Sequence, residues 1–397
     1  MSETLLRLDD VKVRRGSSIV LKNLHLELKT GQLVLLNGAN GAGKSTIIEV
    51  AAGLLPLESG EVRHHNELLI DASGRSKRPK HAFGLTLQSD GCIGSQRVEE
   101  HLLNAMDLTD GRIDVTPWLE RYNLLHRRHD LVAHLSGGQR RKVAMLAGIL
   151  PGFVGEQPKL MLLDEPGAGL DEASRAMLVE DLHALRKRGH ALLLASHHRD
   201  FLVCATDVFN GSEMIPNDVH DSNPLPHHET KTDAYRKYVI VRTSLALNQR
   251  TLATVATNGI AGFLTLGILL ALVDPAAADS NLIQASGLFL SAAFAAGLVG
   301  DNMISMLHEH RALDWWKAHR QGIPHSYAHG FVLGTGLTAL AQLGFDADLS
   351  WQLVLIGGLV TIITLAVLRW VDLATSRLAR PKAAYTRILT PILILPF

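Results

Sequence analysis

The chain has 397 residues with 39 basic and 39 acidic side chains, so its formal net charge at neutral pH is zero. Nothing in that balance points to a polyanionic partner such as nucleic acid, and the length allows two or three domains. Two cysteines, Cys92 and Cys204, have no metal-ligand spacing and cannot build a disulfide framework, so they read as small buried residues in a reducing compartment. The start, MSETLLRLDD, lacks the basic end and apolar core of a signal peptide, which keeps the N-terminal part in the cytoplasm.

Residues 1–210 mix charged and apolar side chains as an α/β domain does. Leu33–Leu36 (LVLL) predicts a short buried strand running into GANGAGKS, Gly38–Ser45, and Thr46 with IIEVAAGLL continues as a helix. Strand, glycine-rich loop and helix are the context of a phosphate-binding P-loop. Gly38, Gly41 and Gly43 let backbone N–H groups approach the phosphates, and the helix N-terminus adds partial positive charge. Ala39, Asn40, Ala42 and Thr46 complete the cradle. Lys44 would reach the β- and γ-phosphates and the Ser45 hydroxyl would ligate Mg²⁺.

About ninety residues on comes LSGGQ, Leu135–Gln139, and within thirty more the apolar run LMLLDE, Leu160–Glu165. Leu160–Leu163 predicts a fully buried strand delivering Asp164 and Glu165 to the C-terminal edge of a sheet. Two adjacent acids there are costly to bury without a cation, which argues against a structural role. Ala191–Ser196 predicts another buried strand, ending at His197. His198 competes with it for a role, and strand register favours His197.

P-loop, LSGGQ and LLDEP in this order and spacing resemble the ATP-binding-cassette ATPases. The resemblance implies an α/β P-loop NTPase with a RecA-like core and a helical subdomain, hydrolysing ATP with Mg²⁺. It implies a pair of such domains, because Ser136, Gly137, Gly138 and Gln139 would face the γ-phosphate of ATP held by a second copy. Gln88, in FGLTLQSD, matches the loop glutamine that contacts Mg²⁺ and the attacking water, and RVEEHLL the helix after it, a region that meets the membrane subunit in relatives. By the same resemblance Asp164 holds the Mg²⁺ shell, Glu165 polarises the water, His197 hydrogen-bonds the γ-phosphate, and Gly167–Asp171 (GAGLD) crosses the dimer interface anchored by Asp171. One departure concerns adenine: Val11–Gly16 reads VKVRRG where many members carry a stacking aromatic. Arg14 or Arg15 could stack instead through its guanidinium plane.

Gly211–Lys231 holds three prolines and much polar character, and residues 211–232 read as a linker. Beyond it, residues 233–397 read as an all-α multi-span transmembrane domain. Leu252–Val273, Leu282–Gly300 and Trp351–Leu368 carry no formal charge, and a helix needs about 20 apolar residues to cross a bilayer. Spans are expected at about 252–273, 282–304, 327–345 and 351–371, with a partial one at 388–397 that is too short to cross. The connections alternate between basic (Arg236, Lys237, Arg242 and Arg250; Arg311, Lys317 and Arg320; Arg377, Arg380, Lys382 and Arg387) and acidic (DPAAADSN; DADLS). By the positive-inside rule this makes a multi-pass protein of the plasma membrane with its ATPase half cytoplasmic. Residues 235–250 read as an amphipathic elbow on the inner leaflet, as in ABC-2-type exporters. The connection HEHRALDWWKAHRQGIPHS has the length and aromatic content to dock on the ATPase.

The minimal ATPase, the missing adenine aromatic, the basic elbow, GIPHSYAHG and TRILTPILILPF resemble the heme exporter of cytochrome c maturation, here with ATPase and membrane subunit joined and the membrane part incomplete at its end. That implies heme, and proteins that handle heme for cytochrome c assembly, as partners besides a second ATPase domain and the bilayer. His308, His310, His319, His325 and His329 add nothing specific to this, since histidines are spread through the chain. An exporter of lipid, polysaccharide or drug on the same scaffold is the alternative. A soluble cassette ATPase of translation or repair fits the alternating connections poorly.

Overall fold

The computed structural model describes residues 3–39, 41–106, 109, 111–217, 312–319, 327–344 and 350–375. The chain divides into two compact units, one of residues 1–241 with 309–322 and one of 242–308 with 323–397.

The first unit is built on two sheets. Strands β1 (Thr4–Arg15), β2 (Ser18–Lys29), β4 (Ser59–His64) and β5 (Glu67–Asp71) form an antiparallel sheet in the order β2-β1-β4-β5. A six-stranded sheet runs β10-β9-β3-β8-β7-β6, from Met214–Pro216 (β10), Asp207–Phe209 (β9), Leu33–Leu36 (β3), Ala191–Ala195 (β8), Leu160–Asp164 (β7) and Gly84–Thr86 (β6). Its pairings are parallel except β10 with β9. The uninterrupted apolar runs of β3, β7 and β8 follow from cover on both faces. Successive residues alternate between two cores: Leu33, Leu35, Met161, Leu163, Leu192 and Leu194 face one, and Val34, Leu36, Leu160, Leu162 and Leu193 face the other. The second core joins the antiparallel sheet to helix α1 (Lys44–Ala51). The first holds the helical subdomain of α2 (Val98–Met106), α3 (Thr116–Arg121) and α4 (Gly137–Ile149), together with α5 (Glu172–Lys187).

Met214–Pro216, inside the stretch read as a linker, is thus the edge strand of the sheet. Asn217 then donates from its side chain to the carbonyls of Leu202 and Ala205 at 2.8 and 2.7 Å, which extends the ordered ATPase past residue 210.

Helix α4 lies very close to β6. A Cβ added at Gly84 would meet the Gly148 carbonyl oxygen at 1.9 Å, and one added at Gly148 would meet Thr86 Oγ1 at 2.0 Å. Only hydrogen at both positions permits this approach.

A short helix, α6 (Ala312–Ala318), belongs to the ATPase unit although the sequence assigns it to the membrane domain. Its Trp315 packs beside both cores. His319, just after it, stacks on Phe83 at 4.4 Å and directs Nε2 to the Phe83 carbonyl at 3.2 Å. Phe83 lies five residues before Gln88, so the aromatic connection is seated next to the glutamine loop.

In the second unit, α7 (Tyr327–Gly344) and α8 (Trp351–Thr375) pack through small residues. A Cβ at Gly334 would come within 2.2 Å of Thr361 Oγ1, and one at Gly357 within 2.0 Å of Thr338 Oγ1. Both threonines turn their hydroxyls back to the carbonyls of Gly334 and Gly357 at 2.8 Å, so the contact leaves no hydroxyl unsatisfied. Helix α8 exposes Trp351, Leu355, Leu359 and Ile363. Among the described residues no helix is long and apolar enough to cross a membrane. The spans expected at 327–345 and 351–371 are therefore helices without being shown as crossings. The elbow at 235–250 and the spans at 252–273, 282–304 and 388–397 lie outside the described residues.

Candidate nucleotide site

Strand β3 ends at Leu36, and the chain turns through the P-loop into α1 at Lys44. Gly38, Gly41 and Gly43 have φ of 147°, 84° and 89°, a region that side-chain-bearing residues rarely occupy. Lys44 Nζ bonds the carbonyls of Gly38 and Ala39 at 2.6 and 3.1 Å, which holds the ammonium across the mouth of the loop. Ala42 closes a turn to Ala39 at 3.1 Å, and Thr46 is buried in the first turn of α1. Asn40 lies outside the described residues.

The acids arrive on β7, next to β3's neighbour β8. Ser45 Oγ donates to Asp164 Oδ1 at 3.0 Å, which joins two of the three predicted metal ligands. Burial, and after it the charge of Glu165, push the Asp164 carboxyl up to about 6 against the pull of the Ser45 hydroxyl. A hydroxyl and a carboxylate whose charge burial disfavours are a donor set that fits Mg²⁺. Bound there, the ion would neutralise Asp164 and draw on the phosphate oxygens. Gln88 sits exposed directly after β6 and is the other predicted ligand.

Glu165 has φ of 48°, the left-handed region that a glutamate rarely enters. Its N–H donates to the Ala195 carbonyl at 2.8 Å, and its Oε2 accepts from His197 Nδ1 at 2.9 Å. Ser196 Oγ adds a contact at 3.4 Å. The strand register thus brings His197 to the glutamate, while His198 lies ring against ring beside it at 4.1 Å. His197 is 58% exposed and free to meet a ligand.

Ser136 and Gln139 close a reciprocal cap on α4: the Gln139 N–H donates to Ser136 Oγ at 3.3 Å, and the Ser136 N–H to Gln139 Oε1 at 3.1 Å. Ser136, Gly137, Gly138 and Gln139 thereby form an open helix N-terminus, the arrangement that favours an anion. Asp171 caps α5 through the Ser174 N–H at 2.8 Å and pairs with Lys142 at 3.0 Å. The Ser174 amide first, and then Lys142, hold its carboxyl well below the usual range.

Neither arginine proposed for adenine is free. Arg14 pairs with Glu58 and donates to the Ser17 carbonyl, and Arg15 pairs with Glu49.

The residues that sequence reasoning missed follow LSGGQ directly. Arg140, Arg141 and Lys142 all reach out of α4: Arg140 to Asp90, Arg141 to the carbonyls of the glutamine loop and the acid pair, and Lys142 to Asp171. Three bases near the positive end of a helix run against its dipole, and that was the available signal.

A phosphate cradle joined to a hydroxyl–carboxylate pair and a glutamate–histidine pair defines a P-loop nucleoside-triphosphatase. The family described as ABC transporter matches residues 21–168. The zinc import ATP-binding protein ZnuC of Photorhabdus laumondii is 31% identical over 205 residues, covering 51% of this chain and 73% of that protein. The linearmycin resistance ATP-binding protein LnrL of Bacillus subtilis is 27% identical over 219 residues, covering 53% and 68%. The aliphatic sulfonates import ATP-binding protein SsuB of Albidiferax ferrireducens is 30% identical over 242 residues, covering 59% and 82%. The chain belongs to the ABC transporter family and carries its ATP-binding, ATP-hydrolysing domain. Domains of this family use ATP with Mg²⁺, act as dimers and pair with membrane subunits.

Proposed function

We propose that the chain is a half-transporter, a cytoplasmic ATPase joined to a membrane portion of the plasma membrane, which works as a pair. Glu165 polarises the attacking water, His197 and Gln88 orient it against the γ-phosphate, and Asp164 with Ser45 and Gln88 holds Mg²⁺. The P-loop binds the phosphates, and Ser136 to Gln139 of one copy close on the ATP of the other with Asp171 anchoring the crossing loop. The observation that carries the catalytic reading is the contact of His197 Nδ1 with Glu165 Oε2 at 2.9 Å, beside the Ser45–Asp164 pair. The seating of Trp315 and His319 in the ATPase unit supports the joining of engine and membrane portion. The exposed apolar side chains of α8 support a lipid-facing surface.

Heme delivery for cytochrome c biogenesis is the cargo reaction that the sequence resemblance supports. The second reading, export of a lipid, polysaccharide or drug, is favoured by the likeness to a linearmycin resistance protein. Purifying the full chain and measuring retained heme, beside zinc and a panel of lipids, separates these readings: co-purifying heme with heme-stimulated hydrolysis is expected, and stimulation by lipid alone would transfer the assignment to the second reading. For sharing across the pair, mixed dimers of a Lys44→Ala chain and a Ser136→Ala chain keep one intact composite site. They should retain roughly half the activity, and complete loss would argue against sharing in trans.

A further inference from the structure

The family's motifs leave unexplained a buried guanidinium between the two catalytic loops. Arg141, on the second turn of α4, is 5% exposed. One terminal nitrogen, Nη1, donates to the Leu87 carbonyl at 2.6 Å, to the Gln88 carbonyl at 3.3 Å and to Asp90 Oδ1 at 3.4 Å. The other, Nη2, donates to the Asp164 carbonyl at 2.6 Å and to the Glu165 carbonyl. A single side chain thus holds the backbone of both metal-side residues and of the glutamate. Its Nε finds no partner among the described residues, so the fork is aimed at the two loops at the cost of one buried N–H.

Backbone conformation gives this contact its meaning. Glu165 and Asp90 both sit at positive φ, 48° and 51°. A non-glycine residue held there is strained and persists only where its surroundings over-determine it. At Glu165 the surroundings are the Ala195 carbonyl, which accepts its N–H, and Arg141 and the Ala168 N–H, which both bind its carbonyl. At Asp90 they are Arg140 and Arg141, both bonded to its carboxylate. Arg141 is the group common to the two strained positions, and each lies at or beside a residue assigned to the water.

We propose that Arg141 is a positioning residue for hydrolysis: its two terminal nitrogens set the spacing between the Gln88 loop and the Glu165 backbone, so that glutamine and glutamate converge on one water. The inference rests on the roles given above to Glu165 and Gln88. A planar fork is required, because two nitrogens must serve two loops at once. A lysine ammonium is a single point and reaches only one of them.

The test compares Arg141→Lys and Arg141→Met in the full chain, reading kcat and KM for ATP hydrolysis, direct binding of a fluorescent ATP analogue, and thermal melting. Both variants should lose at least tenfold in kcat while KM and analogue affinity stay within threefold, and Lys should recover little of the loss. Arg141→Lys hydrolysing within threefold of the parent would overturn the proposal. So would a kcat loss matched by an equal loss of nucleotide binding, or failure of both variants to fold, since each assigns Arg141 to scaffold alone. Glu165→Gln is assayed alongside: if it still hydrolyses ATP, the reading beneath the inference fails. If it is inactive while Arg141→Lys is active, only the role of Arg141 falls.

Discussion

Glu165 reaches His197 because β7 and β8 pair with Asp164 opposite Ala195, which sets the two residues after the strand ends side by side. Glu165→Gln keeps the shape and the hydrogen-bonding capacity but removes the base. It should leave ATP binding intact and reduce turnover by about 10²-fold or more, trapping a closed pair detectable by size-exclusion chromatography with ATP; unchanged hydrolysis would take Glu165 out of its role. His197→Ala should lower kcat and spare ATP affinity, whereas His198→Ala should do little, because only His197 touches the glutamate. Of this site the motifs made Lys44, Ser45, Asp164 and Glu165 legible, since a phosphate loop and an acid pair need those residue types in that order. Arg141 was marked only by the run of bases against the helix dipole, because four of its five partners are main-chain carbonyls more than twenty residues away, and these carry no side-chain signature.

Among the elements, α4 carries the heaviest constraint. It presents Ser136 at its start and Arg141 in its second turn, and it must lie flush on β6, the strand that leads into Gln88. The contact of Gly84 with Gly148 sets that distance. Gly84→Ala should destabilise the ATPase by about 1–3 kcal/mol, the usual cost of overpacking, read as a lower denaturation midpoint, and should depress kcat further than the folded fraction explains. The strands β3, β7 and β8 were legible as apolar runs, since cover on both faces leaves no polar position. Strand β10 was hidden by Pro216 and its polar neighbours, which read as a linker. An edge strand has one unpaired side, and there proline costs no ladder hydrogen bond.

At the scale of the whole molecule, histidines that look interchangeable in the sequence divide by burial. Burial pushes His64, His101 and His190 down to about 4, from an ordinary value of 6.5. His64 spends Nε2 on the Ala51 carbonyl, and His190 joins the Lys159 N–H to the Gly152 carbonyl. These groups are neutral when folded and take up protons when unfolded, so their contribution is complete above pH 6.5 and is lost as pH falls toward 4. Asp164 and Asp181, raised to about 6 by burial, act in the opposite sense over part of that range. A chain that cannot take up one of the protons, His101→Gln, should lose less melting temperature between pH 7 and pH 5 than the parent. An equal or greater loss would contradict the buried neutral form.

The sequence by itself determined the chemistry of this protein: a P-loop, LSGGQ and an acid pair in fixed order specify an ATP-hydrolysing cassette, because phosphate, Mg²⁺ and water each demand particular side chains. It also ordered the central strands, whose two covered faces leave a continuous apolar run. Only the tertiary structure decided that both adenine-side arginines are tied into ion pairs, and it gave the contacts by which His197 meets Glu165 and Trp315 and His319 pack on the ATPase, both of which the sequence had favoured. It alone decided that one guanidinium spans the Leu87–Gln88 and Asp164–Glu165 backbones. Those outcomes rest on register, on close approach of backbones and on hydrogen bonds to carbonyls, and every residue carries the same carbonyl, so composition and spacing hold no record of them.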